Sequence, residues 1–375
     1  MQNKLNNKIY YEQFLLMSFI CLVTFKVVML PQYLVKTAGN QSFLIMFFLI
    51  AIEIMMLCVV FGITKNKSLL ELDIPKWLKG AFAILIFSSS LLKSAVLGSE
   101  GVSYVATSLY ANVSWSFVTL AIIGVCIYLA HKGGKVLGRT VQIFFWIMIA
   151  AFVFYGVFHN ANLDPVNILP LKISSDLAVA GDKCLMWFGD FTPLLFMTAR
   201  PSQNHKKINL AIWIIIAVLA VLICTVGLMI QFLCIFGASG AVVGNAFLNV
   251  SSLNKIAFMI GSVDLPTVLS WLIMCVIKIS LLLFAMAECA KFFFGDKALV
   301  SVACGAIVYA IIVYGIGNLK TSYVLATSWL RYFAFFTEFL VTIAAYIAMR
   351  ISDNKKQKNN ASQPQMNKEE AYEKA

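Results

Sequence analysis

Charge is scarce in this sequence. Lys, Arg, Asp and Glu make up 12% of its 375 residues, about half the share a soluble domain carries. That excludes a globular surface coated with charge. Histidine is scarcer still, at three residues, and no nucleophile motif, phosphate-binding loop or metal-ligand spacing accompanies them. His159 and Asp164 have the H-x-x-x-x-D spacing of some acyltransferases, but they lie beside Pro165 in a short loop with no acyl-donor domain. His131 and His205 sit in basic loops. The nine cysteines include no C-x-x-C pair and lie almost all in apolar runs, which reads as small hydrophobes rather than a disulfide or metal framework. No small-residue cleavage site follows the first apolar run, so that run is expected to be retained as a span. Covalent chemistry, bound metal and cofactor are therefore not expected.

Hydrophobic length is abundant. The chain is 61% hydrophobic, and apolar runs long enough to cross a bilayer recur from end to end. Spans are expected near 11–31, 41–63, 78–97, 112–131, 141–159, 183–199, 209–236, 263–290, 298–317 and 328–349. The fold class is thus an all-α membrane protein of ten transmembrane helices, occupying residues 1–350. A polar tail at 351–375 is expected to be disordered. A net charge of +12 would point to nucleic acid in a soluble protein. Here the basic residues alternate between loops instead. Twenty Lys and Arg fall on the side that includes both termini and six on the other, so both termini are expected in the cytoplasm and no nucleic acid is expected as a partner. The lipid bilayer is the surrounding medium.

Two spans carry breaks. The first reads Thr24-Phe25-Lys26-Val27-Val28-Met29-Leu30-Pro31, and the sixth Trp187-Phe188-Gly189-Asp190-Phe191-Thr192-Pro193. Proline removes a backbone donor, and in hydrocarbon the freed groups need partners in protein or a wet cavity. Spans one and six are the first members of two five-helix halves, about 8–160 and 161–350. Five per half makes the halves inverted, the arrangement in which interrupted helices frame a transporter's ligand site. Charges at mid-depth add to this: Lys26, Lys93 and Lys278 against Glu53, Asp190 and Glu338. Such residues face the bundle interior and pair. Lys26 either recognises a ligand carboxylate or partners Glu53 or Asp190. Asp190 either receives a ligand amino group, carries a proton or caps the second half-helix. Glu53 and Glu338 are the other candidate proton carriers, and Lys278 either supplies a fixed cation where related carriers bind sodium or forms a structural pair. The expected ligand-binding set is Thr24, Lys26, Gly189, Asp190 and Thr192.

Three short stretches carry a family resemblance. They are Leu30-Pro31 followed by Lys36-Thr37-Ala38-Gly39-Asn40-Gln41-Ser42-Phe43-Leu44; Asn167-Ile168-Leu169-Pro170; and Val263-Asp264-Leu265-Pro266 followed by Trp271. In order and spacing they resemble the endospore germination permeases, the B subunits of germinant receptors, within the amino acid–polyamine–organocation transporter superfamily. The resemblance runs over roughly 10–350. It implies a five-plus-five inverted repeat with helices one and six discontinuous around a small ligand, often an amino acid. It also implies assembly with a larger membrane A subunit and a lipoprotein C subunit in the spore inner membrane. The chain departs from the family pattern twice. Thr24 and Lys26 stand where small glycines are usual, and Gly261-Ser262-Val263 stands where an arginine is frequent. The function expected is germinant sensing, the alternative being proton-coupled transport of amino acids or similar solutes.

Overall fold

A computed structural model of the chain describes residues 7–65, 67–108, 114–158, 163–169, 176–201, 210–244, 246, 249–250, 264–295 and 297–372. The order of elements is strand β1 (Lys8–Tyr10), α1 (Tyr11–Val23), α2 (Leu30–Ala38), α3 (Ser42–Thr64), α4 (Lys76–Ser108), α5 (Trp115–Lys132) and α6 (Gly134–Phe158). Then come α7 (Asp176–Lys183), strand β2 (Thr198–Arg200), α8 (Leu210–Leu222), α9 (Leu228–Phe236), α10 (Asp264–Phe294), α11 (Lys297–Ala310), α12 (Leu319–Thr327) and α13 (Leu330–Tyr372). A π-helical turn, Ile223–Gly227, joins α8 to α9.

Eight helical stretches among the described residues are long and apolar enough to cross a membrane. They cover the second to fifth and seventh to tenth expected spans. The first and sixth do not qualify as continuous helices, and these are the two in which the sequence placed breaks. The chain is a multi-pass membrane protein. Helix α10 is about 46 Å long at 1.5 Å per residue, well over the roughly 30 Å of hydrocarbon. It runs through the middle of the bundle, packed on α4, α5, α6 and α11, and with α4 it is the most enclosed of the long helices.

Several boundaries differ from expectation. Helix α4 continues to Ser108, past the expected end at 97, because the serine- and glycine-containing stretch that lowers its mean hydropathy is buried against protein, not lipid. Helix α13 carries on through the polar tail to Tyr372, where composition predicted no fixed structure; Lys, Gln, Glu and Ala there are all good helix formers. His159, Pro170 and residues 261–263 lie outside the described residues.

The break in the first span lies before Pro31. Helix α1 ends at Val23, a 3-10 turn covers Thr24–Lys26, and Pro31 sits in the first turn of α2. Proline is tolerated there because that N–H has no helical acceptor in any case. Near the N-terminus, β1 pairs in parallel with β2, Ile9 opposite Ala199. This pins the chain's start to the end of the broken sixth segment. Nearby, Gln13 donates to Gln142 of α6 at 3.1 Å.

Candidate functional site

The site is built from two helix interruptions and the charges that satisfy them. Where α1 stops, its last carbonyls lose their helical donors. The Lys26 ammonium donates to the Leu22 carbonyl at 2.7 Å, and the Lys278 ammonium to the Cys21 carbonyl at 2.9 Å. The Trp271 indole donates to the Thr24 carbonyl at 3.1 Å. The Thr24 hydroxyl donates back to the Ile20 carbonyl at 2.6 Å. Cations thus gather at the negative end of a helix dipole.

The sixth segment shows the opposite polarity. After α7, a 3-10 turn at Leu185–Trp187 gives way to extended backbone at Phe188 and a left-handed Gly189 (φ 85°) before a second 3-10 turn, Thr192–Phe196. Its exposed amides meet carboxylates. The Gly189 N–H donates to Glu53 Oε1 at 2.5 Å, and the Thr192 N–H to Glu338 Oε2 at 3.0 Å. The Phe188 carbonyl accepts from Lys93 at 2.8 Å. Gly189 is required: a Cβ there would lie 3.2 Å from Cβ of Glu338, at a φ that L side chains rarely adopt.

These groups and Asp190 pair with one another. Lys26 lies 3.0 Å from Glu53 Oε2. Asp190 is held between Lys93 at 2.8 Å and Lys278 at 2.5 Å. Lys93 also reaches Glu338 at 3.6 Å, which accepts from the Ser89 hydroxyl at 3.2 Å. All six are buried. Three cations against three anions leave the cluster neutral. Two lysines also lie over aromatic faces, Lys26 over Phe188 at 4.7 Å and Lys278 over Phe25 at 4.9 Å.

The structure therefore brings Thr24, Lys26, Glu53, Gly189, Asp190, Thr192, Lys278 and Glu338 into one place. It settles the pairing that one sequence left open: Lys26 with Glu53, and Asp190 with Lys93 and Lys278. Capping of the amides after the second break falls to Glu338 and Glu53, not to Asp190. Lys93, seen in the sequence only as a charge within a span, joins α4 to the sixth segment. Glu100, buried on the same face of α4 seven residues on, was passed over because hydropathy placed it beyond the span. Lys93 and Glu100 at i and i+7, with Ser89 four residues before Lys93, were the available signal.

Two contacts lie side by side at one end of the site. Arg331, at the start of α13, donates to Asp182 Oδ2 at 2.7 Å and to the Asp182 carbonyl at 3.1 Å. Burial pushes the Asp182 carboxyl up, but hydrogen bonds from Tyr332 and Arg331 outweigh it and leave its pKa below the usual carboxylate value. Beside this pair, Tyr33 stacks on Trp187 at 5.6 Å and meets Tyr323 edge-on at 5.3 Å. Asp164 has a structural role: its side chain accepts from the Val166 N–H at 3.0 Å, capping a short 3-10 turn.

No curated protein matches the chain by sequence. Among solved structures, the crystal structure of MhsT in complex with L-phenylalanine is similar, with a TM-score of 0.56 over 92% of this chain and 99% of that one at 11% identity. At that identity the likeness is one of fold alone, that of an all-α membrane transporter. The family described as spore germination protein matches residues 8–320. With a match over most of its length, this chain belongs to the spore germination permease family.

Proposed function

We propose that the chain is the permease-like B subunit of a germinant receptor. It binds a small polar germinant, an amino acid or a molecule like one, where the first and sixth segments are interrupted, and passes the event to A- and C-type partner subunits. The observation that carries this reading is the neutral six-charge cluster. It ties both breaks to α3, α4, α10 and α13, so a charged ligand that displaces one internal pair moves several helices at once. Thr24, Lys26, Gly189, Asp190 and Thr192 form the proposed ligand contact. Glu53, Glu338 and Lys278 are the groups whose pairing changes as the ligand enters. The L-phenylalanine bound in the related structure supports an amino acid as the ligand class.

The chain works as a receptor and not as an enzyme, in keeping with its family and fold. It resides in a cell membrane, the spore inner membrane during sporulation, with both termini cytoplasmic as the loop charges indicate. The second reading, a proton-coupled carrier for amino acids or small solutes, is favoured by the same fold and by three buried carboxylates in the cluster. Two measurements separate them. Deletion that abolishes germination towards an amino acid, with co-purification of A- and C-type subunits, supports the receptor. Uptake of labelled amino acid by the purified chain in vesicles, dissipated by a proton ionophore, supports the carrier.

A further inference from the structure

We propose that Glu100 is a further recognition residue of the site, receiving the primary ammonium group of the ligand against the aromatic wall formed by Trp187 and its neighbours. This rests on the reading of the site as a receptor for a small polar molecule. Glu53, Asp190 and Glu338 each have a lysine partner. Glu100 has none among the described residues. It is 4% exposed, and its Oε2 has no hydrogen-bond partner there. The nearby cation, Lys278, is committed to Asp190 and the Cys21 carbonyl.

An ionised carboxylate without a cation costs several kcal/mol when buried. A bound ammonium would offset that cost. The surroundings fit an organic cation. The Trp187 indole N–H faces the Glu100 carboxyl. The Trp187 ring continues to Phe25 at 6.1 Å and Tyr33 at 5.6 Å. One turn along α4 from Glu100, the Tyr104 ring packs on Trp271 at 4.7 Å. A carboxylate among aromatic faces supplies a charge-assisted hydrogen bond together with cation–π attraction. A metal cation asks instead for a cage of several oxygen ligands. Trp187 also opens the sixth break, two residues before Gly189, so an ammonium at Glu100 would lie next to the proposed ligand contact.

The test uses the purified full chain in nanodiscs and thermal melting. Each of the twenty protein amino acids is added in turn, followed by the amide and the N-acetyl derivative of any that stabilises. The expected result is stabilisation by an amino acid and its amide, and none by the N-acetyl form, which lacks the ammonium. Glu100→Gln should melt at or above the unaltered chain without ligand and need about ten- to hundredfold more amino acid, and Glu100→Asp should recover part of the loss. Equal stabilisation by the N-acetyl form, or an unchanged Glu100→Gln response, overturns the Glu100 assignment and leaves the receptor reading standing. If Glu100→Gln does not fold, the amide and N-acetyl comparison on the unaltered chain decides. A Glu100-dependent shift with sodium chloride over choline chloride, and no amine present, would give the carboxylate to a metal cation and overturn the proposal. If no amino acid stabilises the unaltered chain, the receptor reading for this ligand class fails and the Glu100 assignment with it.

Discussion

Lys26 and Glu53 are 27 residues apart and fully buried, and each is costly without the other. Removing one member of a buried pair leaves an uncompensated charge, worth about 3–5 kcal/mol. Glu53→Gln is therefore expected to lower stability by about that amount, even though a glutamine oxygen can still accept from the Gly189 N–H. Adding Lys26→Met in the same chain should restore most of the loss. Melting of the purified single and double variants in detergent checks this, and additive losses would deny the pair. In the sequence, residue type and depth already marked Lys26, Glu53, Asp190, Lys278 and Glu338 as interior charges. Their partners were not legible, because one sequence does not fix how each helix is rotated about its axis. Glu100 was missed for a related reason. Hydropathy measures contact with lipid, whereas α4 past residue 97 is buried in protein.

The broken segments are the elements on which function depends, and their chemistry divides by polarity. Carbonyls at the end of α1 face lysines, while amides of the sixth segment face carboxylates, as the partial charges of free helix ends require. Gly189 makes the second break possible. Gly189→Ala is expected to cost about 1–3 kcal/mol, from the strained φ and from contact with Glu338. It should also weaken the germination response in spores at normal subunit abundance, measured by immunoblot of spore membranes. Full activity in that variant would mean that the turn is not needed in its left-handed form. Proline drew attention to both breaks in the sequence, but in the first span it marks the restart of the helix at α2. The interruption itself runs through Thr24–Lys26 and the residues that follow. It is stabilised by side chains from α3 and α10 that no local pattern in the first span encodes.

At the scale of the molecule, the all-α membrane class and its long apolar helices were legible because hydropathy is a long-range, additive signal. The contacts at the end of the site beside Trp187 were not, since they depend on tertiary pairs such as Arg331 with Asp182. Arg331→Gln should loosen that contact and expose Cys184, which is buried next to Trp187. In a Cys58→Ser background, which removes the exposed cysteine, Cys184 is expected to react with a membrane-impermeant maleimide several times faster in the Arg331→Gln variant. An unchanged rate would mean that Arg331 does not shield Cys184. The central claim is that ligand binds where the two interruptions meet, and Thr192 tests it with least disturbance. Its hydroxyl is buried at the second break beside Glu338, and Thr192→Val keeps all six charged side chains of the cluster. The decisive measurement is thermal stabilisation of the purified chain by an amino-acid panel, with and without Thr192→Val. The account predicts that at least one amino acid stabilises the unaltered chain, and that the variant melts alike without ligand but loses most of the shift. An equal shift in both proteins, or none in either, would contradict it.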